Sequence, residues 1–585
     1  SWDEALGVVA SELARYSGDA FGGVAGPHCT NEENYLFGKL VRGVMETNNL
    51  DHDAGNGRGV RRAGLREVLG SDAATNGFLD SFENSRVVLV IGSNLSATHP
   101  VFSYKLQMAA RRMGIKLIIA CPKAVPLTQI ADCAITYQPG TEALLLNGLA
   151  AIVARRGLAA EAYVREHVAN HDEWAAVARR YTPEGVSAVT GVPAEVLEAA
   201  ATLYATGGAG EAGRGDDGLY PPSAIVYSAG LTLREGGEAI DYGAAALALL
   251  TGNVGRPGAG VNRLKVANNS QGAVDMGCAP FLLPGEAAVE DDAAGARLQQ
   301  AWGMRRPPSA TPGLGLEQML QAAERGELRA MYIMGSNPVG AAPDPDLAAR
   351  ALSRLEFLVV QDMFRTPTAE LAHVVLPACS WAEKDGTYTS AERRIQRVNK
   401  ALKTQGQSLP DWTVLVQVMV RMGYELPYRR SEDILQEITQ VVPAYAGVTR
   451  ERLENPRTVV TMRPGKVYRN PSIDQKPRMG LQWPVVDGED TPVLYADGFP
   501  HGQARLVPVP FEAGAGLGDG VYGSTLEISL YKQGTDTMTG RCPTLVSLHE
   551  NNAADSSLER GRGVGMLQGP NLKLSGYSTG QLTDI

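Results

Sequence analysis

Apolar positions fall in short runs along this chain. The runs at 331–334, 357–360 and 373–376 each end in a polar turn that carries Gly or Asp. Uninterrupted apolar runs of this length, set between helical patterns, predict parallel strands buried on both faces. In such a sheet the loops at the carboxyl ends of the strands face the ligand. Those loops are Gly335-Ser336-Asn337-Pro338, Gln361-Asp362-Met363-Phe364 and Glu383-Lys384-Asp385-Gly386-Thr387. The same row occurs earlier. RVVLVI leads into Gly92-Ser93-Asn94, KLIIAC into Pro122-Lys123, and CAITYQ into Pro139-Gly140-Thr141. Three matched elements in one order predict an internal duplication, two similar Rossmann-like α/β domains with two equivalent clefts. The alternative is chance recurrence of strand-Gly-Ser-Asn in a Gly-rich chain.

The remaining pattern is mostly helical. Ser1 to Glu4 has capping-box spacing and opens a helix. Further helices are predicted over 31–49, 100–113, 141–156 and 411–422, and two over 182–205 with the second opening near Pro193. Residues 224–232 read as a strand. A buried helix follows it, stopped by Gly252-Asn253. The segment 51–62 is Gly-rich and charged and reads as a turn. The segment 261–285 carries many Asn and Gly and reads as a loop lining a cleft. From about residue 457, short β-type runs broken by Gly and Pro suggest a small β-rich domain. Beyond about residue 550 the pattern decays into Gly, Ser, Asn and Arg, and no element is assigned.

Composition narrows the function classes. The chain has 585 residues, 44% hydrophobic and 20% charged, as in ordinary globular proteins. Its net charge of −10 argues against nucleic acid as a partner. No run of apolar residues is long enough to span a membrane, and a cytoplasmic location is expected, on the cytoplasmic side of any membrane complex. Ser1 is not a start residue, so a preceding amino-terminal segment is expected. The six cysteines, Cys29, Cys121, Cys133, Cys278, Cys379 and Cys542, form no C-x-x-C pair. An iron–sulfur cluster or structural zinc within this chain is therefore not expected, and buried reduced thiols are.

The segments CTNEENYLFGKLVRGVMETNNLDH, GSNLSATHP, TGNVGRPGAGVN, NNSQGAVDMG, GSNP, FLVVQDMF, AEKDGTYT and DTMTG, in order from about residue 1 to 545, resemble the large subunit of molybdopterin oxidoreductases. The formate dehydrogenase α subunit is the nearest branch, and the G-type subunit of NADH-quinone oxidoreductase (complex I) carries the same domain. The resemblance implies two α/β domains, each holding one molybdopterin guanine dinucleotide, and a C-terminal β-barrel over both. The expected division is 1–50 with 268–430, then 51–267, then an incomplete barrel over 457–585. The resemblance places one dinucleotide against Gly92, Ser93, Asn94 and His99, with Pro122, Lys123 and Gly140. The second falls against Gly335, Ser336, Asn337, Gln361 and Asp362. Gly252, Asn253, Asn268, Asn269 and Gln271 would approach the pterins, and Lys384, Gly386, Met538 and Thr539 complete the clefts. Glycines let backbone approach a pyrophosphate, and Asn, Asp and Thr bond guanine and ribose edges.

The pattern breaks where the family does its chemistry. Gly57 stands at the metal-ligand position, Arg58 at that of a histidine, and Lys265 at that of the substrate arginine. Glycine ligates nothing, arginine keeps its proton, and lysine cannot grip a carboxylate through a planar fork. His52 and Asp53 are the nearby candidates for substitute ligands. These changes favour a catalytically silent complex I-type domain, beside 4Fe-4S clusters on the preceding segment, with NADH-binding flavoprotein and iron–sulfur subunits as partners. The alternative is an active molybdenum or tungsten formate dehydrogenase-like subunit. A silent subunit of a hydrogenase or another flavin-linked complex is the third reading.

Overall fold

The computed structural model describes residues 1–52, 64–77, 82–232, 236–265, 267–342, 344–455, 462–463, 466–467, 479–486 and 488–511. Its strands in chain order are β1 (Phe21–Ala25), β2 (Leu50–His52), β3 (Val87–Ile91), β4 (Lys116–Cys121), β5 (Cys133–Thr136), β6 (Ser223–Ser228), β7 (Gly260–Leu264), the short pair β8 (Leu282–Leu283) and β9 (Ala287–Ala288), β10 (Ala330–Met334), β11 (Phe357–Asp362), β12 (Val374–Pro377), β13 (Gly386–Thr389) and β14 (Arg394–Val398). Two five-stranded parallel sheets form the frame. One has the order β12-β11-β10-β1-β2, the other β5-β4-β3-β6-β7. Set β10, β11 and β12 against β3, β4 and β5, and the two orders coincide.

Each sheet is the middle of a three-layer sandwich, because alternate residues of each apolar run go to opposite faces. In the second sheet Val87, Leu89, Ile91, Ile118 and Ile225 pack on one face with the helices Glu142–Arg155, Ala194–Ala205 and Glu238–Leu250. Val88, Val90, Leu117, Ile119 and Val226 face the helix Pro100–Met113 through Phe102 and Leu106. In the first sheet Ala330, Tyr332, Met334, Phe357 and Val359 pack with the helices Trp2–Leu13, Asn31–Lys39, Asp411–Arg421 and Ser431–Val441. Met331, Ile333, Leu358 and Val360 turn the other way, towards the helices Leu316–Glu324 and Pro345–Ser353.

Several expectations change. The helix expected over 31–49 ends at Lys39, widens into a π turn over Leu40–Val44, and gives way to β2. The turn expected from residue 51 therefore begins inside a strand. The loop expected over 261–285 is largely buried structure: it opens in β7 and contains the helix Ser270–Asp275. Its polar side chains are inside because they are hydrogen-bonded there. Asn269, for example, donates to Cys29 O at 2.7 Å and accepts from Thr389 N at 2.6 Å.

Most of the expected terminal barrel lies outside the described residues. Within them, Leu481–Gln482 adds antiparallel to β14. Arg393, fully buried, fixes this segment: its guanidinium donates to the carbonyls of Ala74, Trp483, Thr491 and Pro492. No single helix among the described residues is long and apolar enough to cross a membrane.

Candidate functional site

Both sheets change direction of winding next to a Gly-Ser-Asn turn, where an open parallel sheet forms its ligand crevice. In one sheet the switch lies between β3 and β6, in the other between β10 and β1. Gly92 and Gly335 leave their strands with φ of +61° and +58°, a conformation that favours glycine. Their N–H groups bond equivalent carbonyls, Ala120 O and Gln361 O, each at 2.8 Å. Ser93 closes its switch point: Ser228 N donates to Ser93 Oγ at 2.8 Å, and the two hydroxyls lie 3.1 Å apart. Ser336 is buried, and Asn337 Oδ1 accepts from Thr368 Oγ1 at 2.7 Å. Asn94 is exposed.

The first crevice lies beside a helix N-terminus. His99 caps the start of the fourteen-residue helix Pro100–Met113, whose N-terminal N–H groups favour an anion. Burial lowers the pKa of its ring, a hydrogen bond with the Lys265 backbone opposing it. Beyond the ends of β4 and β5 a cavity of about 520 Å³ is lined by Pro122, Thr136, Gln138, Thr190 and Gly191 among others. Lys123 is exposed next to Pro122, and Gly140 turns the chain into the helix behind. A larger hollow of about 920 Å³ is lined by Ala151 and Arg155, at the far end of that helix, and is not part of the crevice.

Other expected contacts are engaged elsewhere. Asn253 Oδ1 accepts from Ser223 N at the amino end of β6, with Gly252 beside it, at the opposite end of the strands from Ser93. Gln361 is held between Tyr332 Oη (2.5 Å) and Asp411 Oδ1 (2.7 Å). Asp362 Oδ1 accepts from Phe364 N. Lys384 Nζ bonds Glu33 Oε2 at 2.8 Å and Asp411 Oδ2 at 2.7 Å, all three buried. Cys29, Glu33 and Asp411 cluster as a cation site would, with the Lys384 ammonium already bonded to both carboxylates. Gly386 packs on Thr30. His52 is bonded through Nδ1 to Cys278 O at 2.7 Å. Asn268, exposed, meets His28 at 2.6 Å. Asp53, Gly57, Arg58, Met538 and Thr539 lie outside the described residues.

Lys265 follows β7 at its carboxyl end, in a buried network that sequence reasoning missed. Its Nζ lies 2.6 Å from Asp72 Oδ2, and Arg263 Nη1 reaches the same oxygen at 3.2 Å. Arg66 Nη2 bonds Asp72 Oδ1 at 3.1 Å and Glu286 Oε2 at 2.7 Å. Burial alone would raise the Asp72 pKa, but Lys265, Arg66 and Arg263 together hold it well below the usual carboxylate range. Glu286, at φ +58°, also accepts from Ser71 and from Gln271 Nε2 at 3.0 Å. Gln271 continues to Asp275, which takes the Tyr445 hydroxyl at 2.5 Å. Arginine at 263 and lysine at 265, on one face of a strand, were the available signal.

Two observations fit a polar group such as a pterin dinucleotide. The strand-end turns at Gly92 and Gly335 lie at the two switch points with a left-handed backbone. Gln271 Oε1 and Arg263 Nε, both buried, have no hydrogen-bond partner among the described residues, which points to a ligand or water.

Glu32 gives a test of the buried polar interior. Its carboxylate accepts from Thr387 N and Oγ1 but has no cation bonded to it among the described residues. Burial raises its pKa from 4.5 to about 7, the Thr387 bonds opposing. The folded carboxyl then holds a proton that the unfolded one has lost, so its contribution to stability falls as pH rises through this window. Between about pH 5 and pH 7 the change is about 2 kcal/mol, and Glu32→Gln removes it; urea unfolding across that range measures the difference.

Comparison with known proteins agrees with this geometry. The family model for molybdopterin oxidoreductases matches residues 1–421. The chain is 35% identical to F420-dependent formate dehydrogenase 1 subunit alpha of Methanococcus maripaludis, over 92% of this chain and 75% of that one. It is 34% identical to formate dehydrogenase H of Escherichia coli, over 77% and 62%. Acetylene hydratase from Pelobacter acetylenicus shares the fold, with a TM-score of 0.62 at 18% identity over 88% of this chain and 68% of that one. A family of this kind implies a molybdenum- or tungsten-bearing pterin cofactor. The chain belongs to the molybdopterin oxidoreductase family.

Proposed function

We propose that this chain is the pterin-binding α-type subunit of a molybdenum- or tungsten-dependent oxidoreductase, acting on formate or a similarly small carboxylate. The silent complex I-type reading has less support. The two sequence relatives described above are named as a formate dehydrogenase alpha subunit and a formate dehydrogenase, and one of the three altered positions, Lys265, still presents a buried cation. The single observation that carries the proposal is that cation, held at the carboxyl end of β7 beside the first crevice.

In this reading the two sheets are duplicated halves, each cradling one guanine dinucleotide. The boundaries are those of 1–50 with 268–430 and of 51–267, with the barrel following from 457. Gly92, Ser93 and His99 hold one dinucleotide and Gly335 and Ser336 the other, while Lys265 orients the substrate carboxylate. The metal, when bound, would supply a two-electron acceptor. The Methanococcus maripaludis relative is named as an alpha subunit, which supports assembly with at least one further subunit.

Purified protein is expected to contain about one molybdenum or tungsten per chain, to release a fluorescent pterin on oxidation, and to reduce a viologen dye with formate. Protein isolated with its natural partners that lacks both metal and pterin would overturn the reading.

A further inference from the structure

Three cations converge on one small carboxylate at Asp72. Lys265 and Arg263 take one oxygen and Arg66 the other, and the four side chains are 7–13% exposed. That is the donor set a free carboxylate would seek, and here the chain supplies the carboxylate itself. Neighbouring acids share the cations. Glu286 bonds Arg66, and Asp241, itself bonded to Tyr227 at 2.5 Å, acts on Arg263 through charge. Capacity remains nonetheless. Asp72 is the one acceptor of Lys265 Nζ among the described hydrogen bonds, and an ammonium has three donors. Arg263 Nε has no partner among the described residues.

We propose that Asp72 is a specificity-determining positioning residue, a built-in competitor for the small anion that Lys265 receives. The inference rests on the proposed role of Lys265. Asp72 fixes the ammonium in place and at the same time sets a negative charge beside any anion that binds there. In a site shielded from water such a charge is felt strongly. A single small carboxylate is admitted at reduced affinity, and a dianion is rejected.

The test is sodium formate titrated into the holoprotein, read by thermal shift and by steady-state dye reduction, for wild type and Asp72→Asn. Asp72→Asn is expected to bind formate about tenfold more tightly, with KM falling by a similar factor. Because this variant leaves three cations about a neutral side chain, D72N/R263Q, whose local net charge equals that of wild type, is measured as well, with R263Q as its own reference. Sodium oxalate, the dianion, is expected to bind only the Asp72→Asn variants. Formate binding no tighter in either Asn variant, or KM rising while kcat falls, would overturn the proposal. Tighter binding without any turnover would support the role of Asp72 and count against the proposed activity.

Discussion

Lys384→Met is expected to destabilise the fold by about 3–5 kcal/mol, the cost of leaving buried charge without its partner. Lys384 stands between Glu33 and Asp411, and all three are buried. Those residues belong to separate parts of the first sheet's cover: Glu33 to the helix Asn31–Lys39, Asp411 to the first residue of Asp411–Arg421, and Lys384 to the turn before β13. The ammonium therefore pins the β13–β14 hairpin to two helices. Asp411 also holds Gln361 at the end of β11, so the effect extends to the strand-end crevice. The loss has a sign with pH. Burial raises the Glu33 pKa, with Lys384 opposing, so without the lysine the carboxyl takes up a proton more readily. The variant should recover stability as pH falls and be weakest at high pH. Urea midpoints at two pH values measure this, and K384M/D411N should be more stable than K384M. A loss below about 1 kcal/mol would be that of an exposed ion pair and would remove the structural role.

The same residue shows where the sequence stopped being legible. The resemblance set Lys384 among the residues that complete the clefts. Its partners are 351 and 27 positions away, and nothing in local pattern announces them. Gln361 likewise bonds Tyr332 and Asp411, 29 and 50 positions away. What local pattern does carry is the apolar run. β3, β4, β6, β10 and β11 were readable because both faces are buried and the run is unbroken. β1, β2 and β7 were not, since Gly22 and Gly23, Asp51 and His52, and Asn262 and Arg263 break the run. Asn262 and Arg263 are nevertheless buried. Asn262 accepts from Asn76 N, and Arg263 pairs with Asp72, so tertiary partners replace the apolar contacts that strand pattern assumes. The Gly-Ser-Asn turns were legible because a left-handed backbone after a buried strand calls for glycine. Asn253, which the resemblance set where loops approach the pterins, here bonds the amino end of β6, and an Asn after a helix looks alike in sequence in either role.

Lys265→Met is expected to lower kcat/KM for formate by about 100-fold, the upper range for one charge-assisted hydrogen bond. The loss should lie mainly in KM if the ammonium holds ground state and transition state alike, and in kcat if it acts only as charge moves. The fold should tolerate the change. Asp72 keeps Arg66 on one oxygen and Arg263 on the other, so removing Lys265 takes one of three cations and strands no carboxylate. A stability change of about 1 kcal/mol or less is expected, within reach of surviving partners. Activity and stability therefore separate here, as they do not at Lys384. Lys265→Arg tests geometry against charge: it keeps the charge while offering a planar fork, and should retain most of the turnover. Steady-state kinetics on metal-replete protein, with urea midpoints measured in parallel, decide the matter. Turnover of formate that is unchanged in Lys265→Met would show that the carboxylate is received elsewhere, and would leave Lys265 as a partner of Asp72 alone.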